Sequence, residues 1–407
     1  MGWKMNEAVE TVQAQAAGKL YLAGEYAVVE PGHPAILVAV NRTLTTQVTG
    51  RAAGEGSQEQ PVDAQRGRIE SEGHPEASMS WHREDGKLTP DTQLGEPSYL
   101  LAAAQSVEEL AVERGLALRS YDIAVSSQLD SGSGKKYGLG SSAAVAVATV
   151  RALLDWYGLQ LSPLETYKLA YLATGRAQSL GSGGDLAASL FGGCIRFCSP
   201  DRSWVRAQVG SSSLSQLITQ PWPGLQIHRL DAFGPDSLLH LFVGWTGSPA
   251  STPSLVASVK QGSADGKSQS YERFLAASDA CVDALAQSLE AGQPGAIGEH
   301  VAQARSLLRG LSALTDTDIE TPALRTLVES ALIRGAAAKS SGAGGGDCGI
   351  AIVCDKQPQS RAIGQMSAIA AAWSRAGIEP LPLTVGPPLA ALEPWGVGCA
   401  ATAQEEE

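Results

Sequence analysis

The spacing of hydrophobic and polar positions along this chain changes several times, and each change marks an element. In GKLYLAGEYAVV (residues 18–29) the period is two, with Leu20 and Leu22 on one face and Lys19 and Tyr21 on the other. This predicts a strand, a turn at Gly24-Glu25 and a second strand. A helix is expected over 97–114 and a strand over 121–127. After them Val145, Thr149, Ala152, Leu153 and Trp156 recur at helical spacing, with Gly158 placed to stop the helix. Residues 163–180 read as a helix and 194–198 as a strand. Around residue 205 the pattern changes, to strands at 225–230, 239–243, 350–354 and 380–385 and helices at 269–291, 298–311, 321–335 and 358–376. Residues 50–97, rich in Gly, Glu, Gln, Ser and Pro, predict a polar hairpin excursion on the surface, with short strands at 67–71 and 77–82. The fold class is α+β, with two layers in each of two domains, 1–205 and 206–390. Residues 1–16 are expected to fray, and 391–407 to form a flexible tail.

Composition narrows the function classes. The 407 residues are enough for two domains with real cores. With 30 basic and 42 acidic residues the net charge is −12, and no basic run or aromatic-interleaved patch points to nucleic acid. The first 18 residues hold no apolar core for a signal peptide, Asn6 breaks the myristoylation pattern, and apolar runs such as 35–40 are too short to span a membrane. Six scattered cysteines suit reduced thiols, so the expected localisation is cytoplasmic. The close pairs Cys194/Cys198 and Cys348/Cys354 have no histidine near them in sequence, which favours core packing over zinc. The six histidines form no pattern, and Trp222 and Trp245 read as core. An acidic protein that binds anions must concentrate its cations locally, which draws attention to Lys19, Lys135 and Lys136.

Lys135-Lys136-Tyr137-Gly138-Leu139-Gly140-Ser141-Ser142 runs into the helix that Gly158 stops. Glycines ahead of a helix leave outward-pointing N–H groups uncovered, and the helix dipole favours negative charge there, so the loop predicts a polyphosphate cradle. The Walker pattern fails because Gly134-Lys135 is followed by Lys136, and the Rossmann fingerprint fails for want of its third glycine. A tight turn before a core helix would read the same way, so other features of the chain must decide. The chain supplies them in the strand at Lys19, in Gly181-Ser182-Gly183-Gly184-Asp185, another small-residue loop opening a helix, and in the Gly-rich run 339–349 that leads into a strand.

These segments, in this order, resemble the GHMP kinases. Lys19 to Glu25 (K-x-x-x-x-G-E) is similar to the first motif of that superfamily, GLGSSAA to its ATP-phosphate motif and GAGGGDCGI to its third. Within it KLYLAGEYAVVEPGHPA, the double lysine of KKYGLGSS, GSGGDLAASLFGGCI followed by SPDRSW, VGWTGSPAST, and Asp347 before Cys348 most resemble the phosphomevalonate kinase branch. The resemblance runs from about Gly18 to about Val385 and is loose over 50–97.

The resemblance implies an S5-like N-terminal domain, a ferredoxin-like C-terminal domain and an active site between them. ATP and Mg²⁺ are the implied cofactors. Gly138, Leu139, Gly140, Ser141 and Ser142 would hold the ATP phosphates, Ser142 (or Ser141) would offer a hydroxyl to the metal, and Lys135 and Lys136 would neutralise charge. Lys19 would meet the transferring phosphoryl group, and Asp185 would be the active-site aspartate. Glu25, Tyr26, Ser182, Ser251, Thr252 and the loop Ser341, Gly342, Ala343, Gly344 are candidates for the acceptor, together with Lys19. The implied reaction is ATP-dependent phosphorylation of (R)-5-phosphomevalonate to the diphosphate, with mevalonate kinase or a catalytically silent metabolite sensor as alternatives. Lys19, Ser142 and Asp185 together count against a sensor. The implied partner is a small-molecule substrate, with no nucleic acid or membrane, and the chain would be a monomer or weak homodimer.

Overall fold

The computed structural model describes residues 10–51, 65–92, 98–131, 135–234, 237–248, 252–264, 268–354 and 360–392. The strand β1 (Thr11–Ala23) starts well before Gly18 and pairs antiparallel with the long β2 (Pro34–Gly50), Thr11 opposite Thr49 and Lys19 opposite Ala39. Residues 11–16, expected to fray, are therefore held in the sheet, where Ala14 and Ala16 bury their side chains. The expected second strand after Gly24 is absent. Tyr26 takes φ 64°, the Val28 amide donates to the Gly24 carbonyl (3.0 Å), and Ala27–Val29 closes into a 3-10 turn.

Residues 65–92 are more than a surface excursion. The strands β3 (Arg66–Ser71), β4 (Met79–Glu84) and β5 (Lys87–Pro90) extend the first sheet, β3 running parallel to β6 (Tyr121–Ser127) with Ile69 opposite Ile123. Of their few apolar positions, Ile69, Trp81 and Leu88 are buried and Met79 is half-buried. The helix α1 (Tyr99–Glu113) covers this extension, and its Glu108 carboxylate accepts from the buried Arg83 guanidinium at 2.6 and 3.2 Å. A sparse apolar pattern in a polar stretch was enough to build a core there.

The helix α2 (Ser141–Tyr157) ends at Gly158, whose φ of 65° supplies the left-handed cap. A capping box between Ser162 and Glu165 opens α3 (Pro163–Ala177), which stops short of residue 180 because Gln178 is extended. Next come α4 (Gly184–Phe191), β7 (Cys194–Cys198), α5 (Arg202–Gln208), α6 (Leu214–Thr219) and β8 (Gln226–Leu230). Among the described residues the first sheet has eight strands, in the order β5-β4-β3-β6-β2-β7-β8, with β1 paired to β2. Because β8 pairs with β7, the chain leaves this sheet after Leu230, later than the pattern change around residue 205.

The second layer is built from β9 (Leu239–Trp245), α7 (Thr252–Ala264), α8 (Ser268–Glu290), α9 (Pro294–Thr315), α10 (Pro322–Leu332), β10 (Ala337–Ser340), β11 (Cys348–Cys354), α11 (Ser360–Arg375) and β12 (Glu379–Leu381). Its four strands are antiparallel, in the order β10-β11-β9-β12. Leu327 of α10 and Trp373 of α11 pack on one face, Trp373 stacked on Phe242 at 4.8 Å. Two differences from the sequence pattern bear on the site. Lys339 and Ser340 belong to β10 rather than to a loop, and the strand expected at 380–385 stops at Leu381. Beyond it Val385 bridges to Val40 and Pro388 to Gly192, returning the chain to the first sheet.

Candidate active site

The site forms where the N-terminus of α2 meets β1, the turn before α4 and the loop between β10 and β11. Gly138 and Gly140 take φ 80° and 84°, conformations open to glycine, and Gly140 caps α2 with no side chain covering the first amides. Neighbouring side chains also stand close to both glycines. A Cβ at Gly140 would lie 3.0 Å from Lys19 Cε, and one at Gly138 would lie 2.4 Å from Asp347 Cγ. Lys19 is bonded to this loop twice, its amide donating to the Leu139 carbonyl (2.8 Å) and its Nζ to the Gly138 carbonyl (3.2 Å). Ser141 and Ser142 are half-buried in the first turn of α2, and Lys135 and Lys136 are exposed beside it.

Asp185 stands in the first turn of α4, half-buried, its Oδ1 accepting from the Leu186 amide at 3.0 Å. The preceding loop is fixed from two sides. Ser182 accepts at its carbonyl from Ser199 Oγ (3.1 Å) and at its hydroxyl from the Gly184 amide (3.4 Å), and the Tyr21 phenol faces that hydroxyl. The Tyr21 phenol is pushed up from its ordinary pKa, first by burial and then by the Asp185 charge, so it stays neutral. Its ring lies 5.7 Å from Lys19 Nζ.

The third loop is docked onto β1 rather than left open. The Ser341 hydroxyl accepts from the Tyr21 amide (2.8 Å) and donates to the Tyr21 carbonyl (3.1 Å). Tyr26 donates to the Ala343 carbonyl at 2.5 Å. Glu25 accepts from the Lys339 ammonium, and both side chains are buried. On its other flank Cys348 Sγ donates to the Tyr137 carbonyl (3.1 Å), and burial pushes that thiol's pKa up, so it does not ionise. Tyr137 meets Trp245 edge-to-face at 5.0 Å, with the Arg42 guanidinium 5.2 Å from its ring. The first and third motifs are thus cross-linked by several bonds around the α2 N-terminus.

Such an arrangement can hold a polyphosphate at uncapped helix amides with an ammonium beside it. Comparison with known proteins agrees. The family profile "GHMP kinases N terminal domain" matches residues 98–193 and "GHMP kinases C terminal" matches 285–372. A phosphomevalonate kinase from Streptomyces sp. (strain CL190) is 39% identical over 386 residues, 93% of this chain and 98% of that protein. The chain belongs to the GHMP kinases. Its fold is the two-domain fold of that family, shared with Streptococcus pneumoniae phosphomevalonate kinase in complex with phosphomevalonate and AMPPNP (TM-score 0.74, 30% identity, 91% of this chain and 99% of that one). A mevalonate kinase from Pyrococcus horikoshii is 30% identical over 86% of this chain and 90% of its own length.

Within this GHMP kinase the structure brings together Lys19, Gly138, Leu139, Gly140, Ser141, Ser142, Ser182 and Asp185. It gives Glu25, Tyr26 and Ser341 protein partners in the docking of the third loop. Gly342, at φ 81°, faces open space, whereas a Cβ at Gly344 would lie 2.1 Å from the Ile319 carbonyl oxygen. Gly344 thus approaches protein backbone, contrary to its expected approach to ligand. Ser251 and the Thr252 side chain lie outside the described residues. The sequence reading missed three contributors. Tyr21 was already placed on the Lys19 face by the period of two. Lys339 is a lysine within a small-residue run, where its burial could have been suspected. Asp347 takes φ 51°, and nothing in the sequence marked its approach to Gly138.

Proposed function

We propose that this kinase transfers the γ-phosphoryl group of ATP to (R)-5-phosphomevalonate, giving (R)-5-diphosphomevalonate and ADP. The observation that carries the reading is the placement of Lys19. Its ammonium lies at the mouth of an uncapped helix N-terminus and 5.7 Å from the ring of a tyrosine whose hydroxyl meets the Asp185 loop. The phosphomevalonate and AMPPNP named in the Streptococcus pneumoniae complex, and the identity to the Streptomyces enzyme, support the choice of substrates.

The amides of the α2 N-terminus and the Gly138–Ser142 loop would hold the ATP phosphates, with Lys135 and Lys136 lowering the charge outside. The acceptor's phosphate monoester has a second pKa near 6 and is largely dianionic at pH 7. One of its oxygens forms a bond to the γ-phosphorus as the bond to ADP breaks, and no proton has to be removed first. The difficulty is charge, because like charges about 4 Å apart repel by about 4 kcal/mol at an effective dielectric near 20. Lys19 would reduce that repulsion, and Asp185 would orient what surrounds it.

Magnesium fits the donor set. Ser142 presents a hard hydroxyl oxygen in the first turn of α2, and among the described residues no cluster of three or more His, Cys, Asp or Glu offers a separate metal site. When bound, the metal would neutralise phosphate charge. No helix among the described residues is long and apolar enough to cross a membrane, and four cysteines are buried free thiols. Both features suit the cytoplasm, where this small-molecule substrate would be met.

Phosphorus NMR of a reaction containing ATP and phosphomevalonate tests the proposal. The monoester resonance should be replaced by the coupled pair of a diphosphate as ADP appears. An unchanged monoester with ATP intact would contradict it.

A further inference from the structure

Tyr21 has no role in phosphate binding as described above, yet it touches every part of the site except the ATP loop. Its backbone amide and carbonyl hold the Ser341 hydroxyl at 2.8 and 3.1 Å, fixing the third loop. Its ring lies 5.7 Å from the Lys19 ammonium, within range of a cation–π attraction. Its hydroxyl meets the Ser182 hydroxyl, and a Cβ at Gly184 would come within 2.9 Å of it. The chain thus keeps a glycine in the first turn of α4 where any side chain would displace the phenol. A tyrosine that only filled space would need neither the glycine nor the serine, because the Tyr21 side chain is almost wholly buried and a phenylalanine would pack equally well. The same pocket holds a second buried phenol, Tyr167, whose hydroxyl has no hydrogen-bond partner among the described residues and would lie 2.5 Å from a Cβ at Gly183.

We propose that Tyr21 is a positioning residue that couples the Lys19 ammonium to the Asp185 loop, its ring against the cation and its hydroxyl against Ser182. The proposal rests on the phosphoryl-transfer reading of the site. Tyr21 reaches the reaction through its neighbours and touches neither substrate. The ring would restrict where the Lys19 ammonium can lie, as Gly140, a Cβ on which would stand 3.1 Å from Lys19 Cγ, restricts the stem. The hydroxyl holds the turn that carries Asp185. Loss of the hydroxyl should therefore matter through Asp185, and loss of the ring through Lys19 as well.

Tyr21→Phe and Tyr21→Leu, assayed in the full-length protein with ATP and phosphomevalonate, test this. Tyr21→Phe should lower kcat about tenfold, the worth of one hydrogen bond, with both KM values within twofold of wild type. Tyr21→Leu should lower kcat about a hundredfold. In an Asp185→Asn background, Tyr21→Phe should cost less than a further twofold, because its effect already runs through that carboxylate. Wild-type kcat in Tyr21→Phe would overturn the proposal. So would a full tenfold loss in the Asp185→Asn background, or a raised KM for phosphomevalonate, which would mean direct contact with substrate. A lowered Tm with kcat per folded molecule unchanged would reduce Tyr21 to packing and also overturn it. Absence of wild-type turnover would instead contradict the proposed function, so the two failures are distinguishable.

Discussion

Lys19 donates to the Gly138 carbonyl at 3.2 Å, while Asp185 spends one oxygen on the Leu186 amide of its own helix. The two residues are therefore built for different tasks. An ammonium beside the phosphate loop meets the charge that builds up when two polyanions approach. A carboxylate would be needed as a base only if the acceptor had a proton to lose, and general-base catalysis contributes about 10²–10⁴-fold where it operates. With a dianionic acceptor, Lys19→Ala should lose at least about tenfold more kcat than Asp185→Asn, and the Asn variant should keep the wild-type kcat–pH profile. If Asp185→Asn is the worse lesion and removes a limb of that profile, Asp185 acts as a base. Gly138 and Gly140 were legible in the sequence because they precede a helix, whereas the period of two put Lys19 on a strand face and only the resemblance of its motif made it a site residue. Glu25, Tyr26 and Ser341 were legible as members of the site but not as its joints, since a hydroxyl or carboxylate looks the same in sequence whether it faces ligand or protein.

The elements bear this out in how they end. The sequence pattern located β6, β7 and α2 closely, because each combines a clear period with a glycine or a turn at its limit. It failed at Ala27–Val29, where two valines of high strand propensity are wound into a 3-10 turn by the positive φ of Tyr26, a tertiary effect. It also failed at β10, whose Lys339 reads as a loop residue until its partner Glu25 is known. The third loop shows why such distinctions matter. Gly345 donates to the Ile319 carbonyl at 2.9 Å, and Gly344 sits against the same carbonyl at φ 72°. Gly344→Val should therefore lower Tm by several degrees as well as depress turnover, because the branched side chain is strained at that φ and collides with backbone. Thermal melts beside the activity assay check this. A variant melting with the wild type and failing only in turnover would show that the loop approaches ligand and not Ile319.

Across the whole molecule the site depends on the seam between the two sheets. Glu25 of the first layer and Lys339 of the second are both buried and paired, and Arg196 on β7 holds Asp283 on α8 at 2.9 Å. A buried pair of this kind adds little net stability, yet removing one partner strands the other charge, so it fixes one arrangement of the layers over others. No periodicity could reveal that seam, since Glu25 and Lys339 are 314 residues apart in the chain and Arg196 and Asp283 are 87 apart. The seam docks the third loop onto Tyr21, between Lys19 and the Asp185 loop, and a site arranged for a phosphate-bearing acceptor should discriminate strongly against an acceptor without that phosphate. ADP release measured side by side with phosphomevalonate and with mevalonate reads that discrimination directly. The expected result is a kcat/KM at least about a thousandfold higher with phosphomevalonate, as for sites whose polar groups go unpaired when the substrate group is missing. Equal or faster turnover of mevalonate would contradict it.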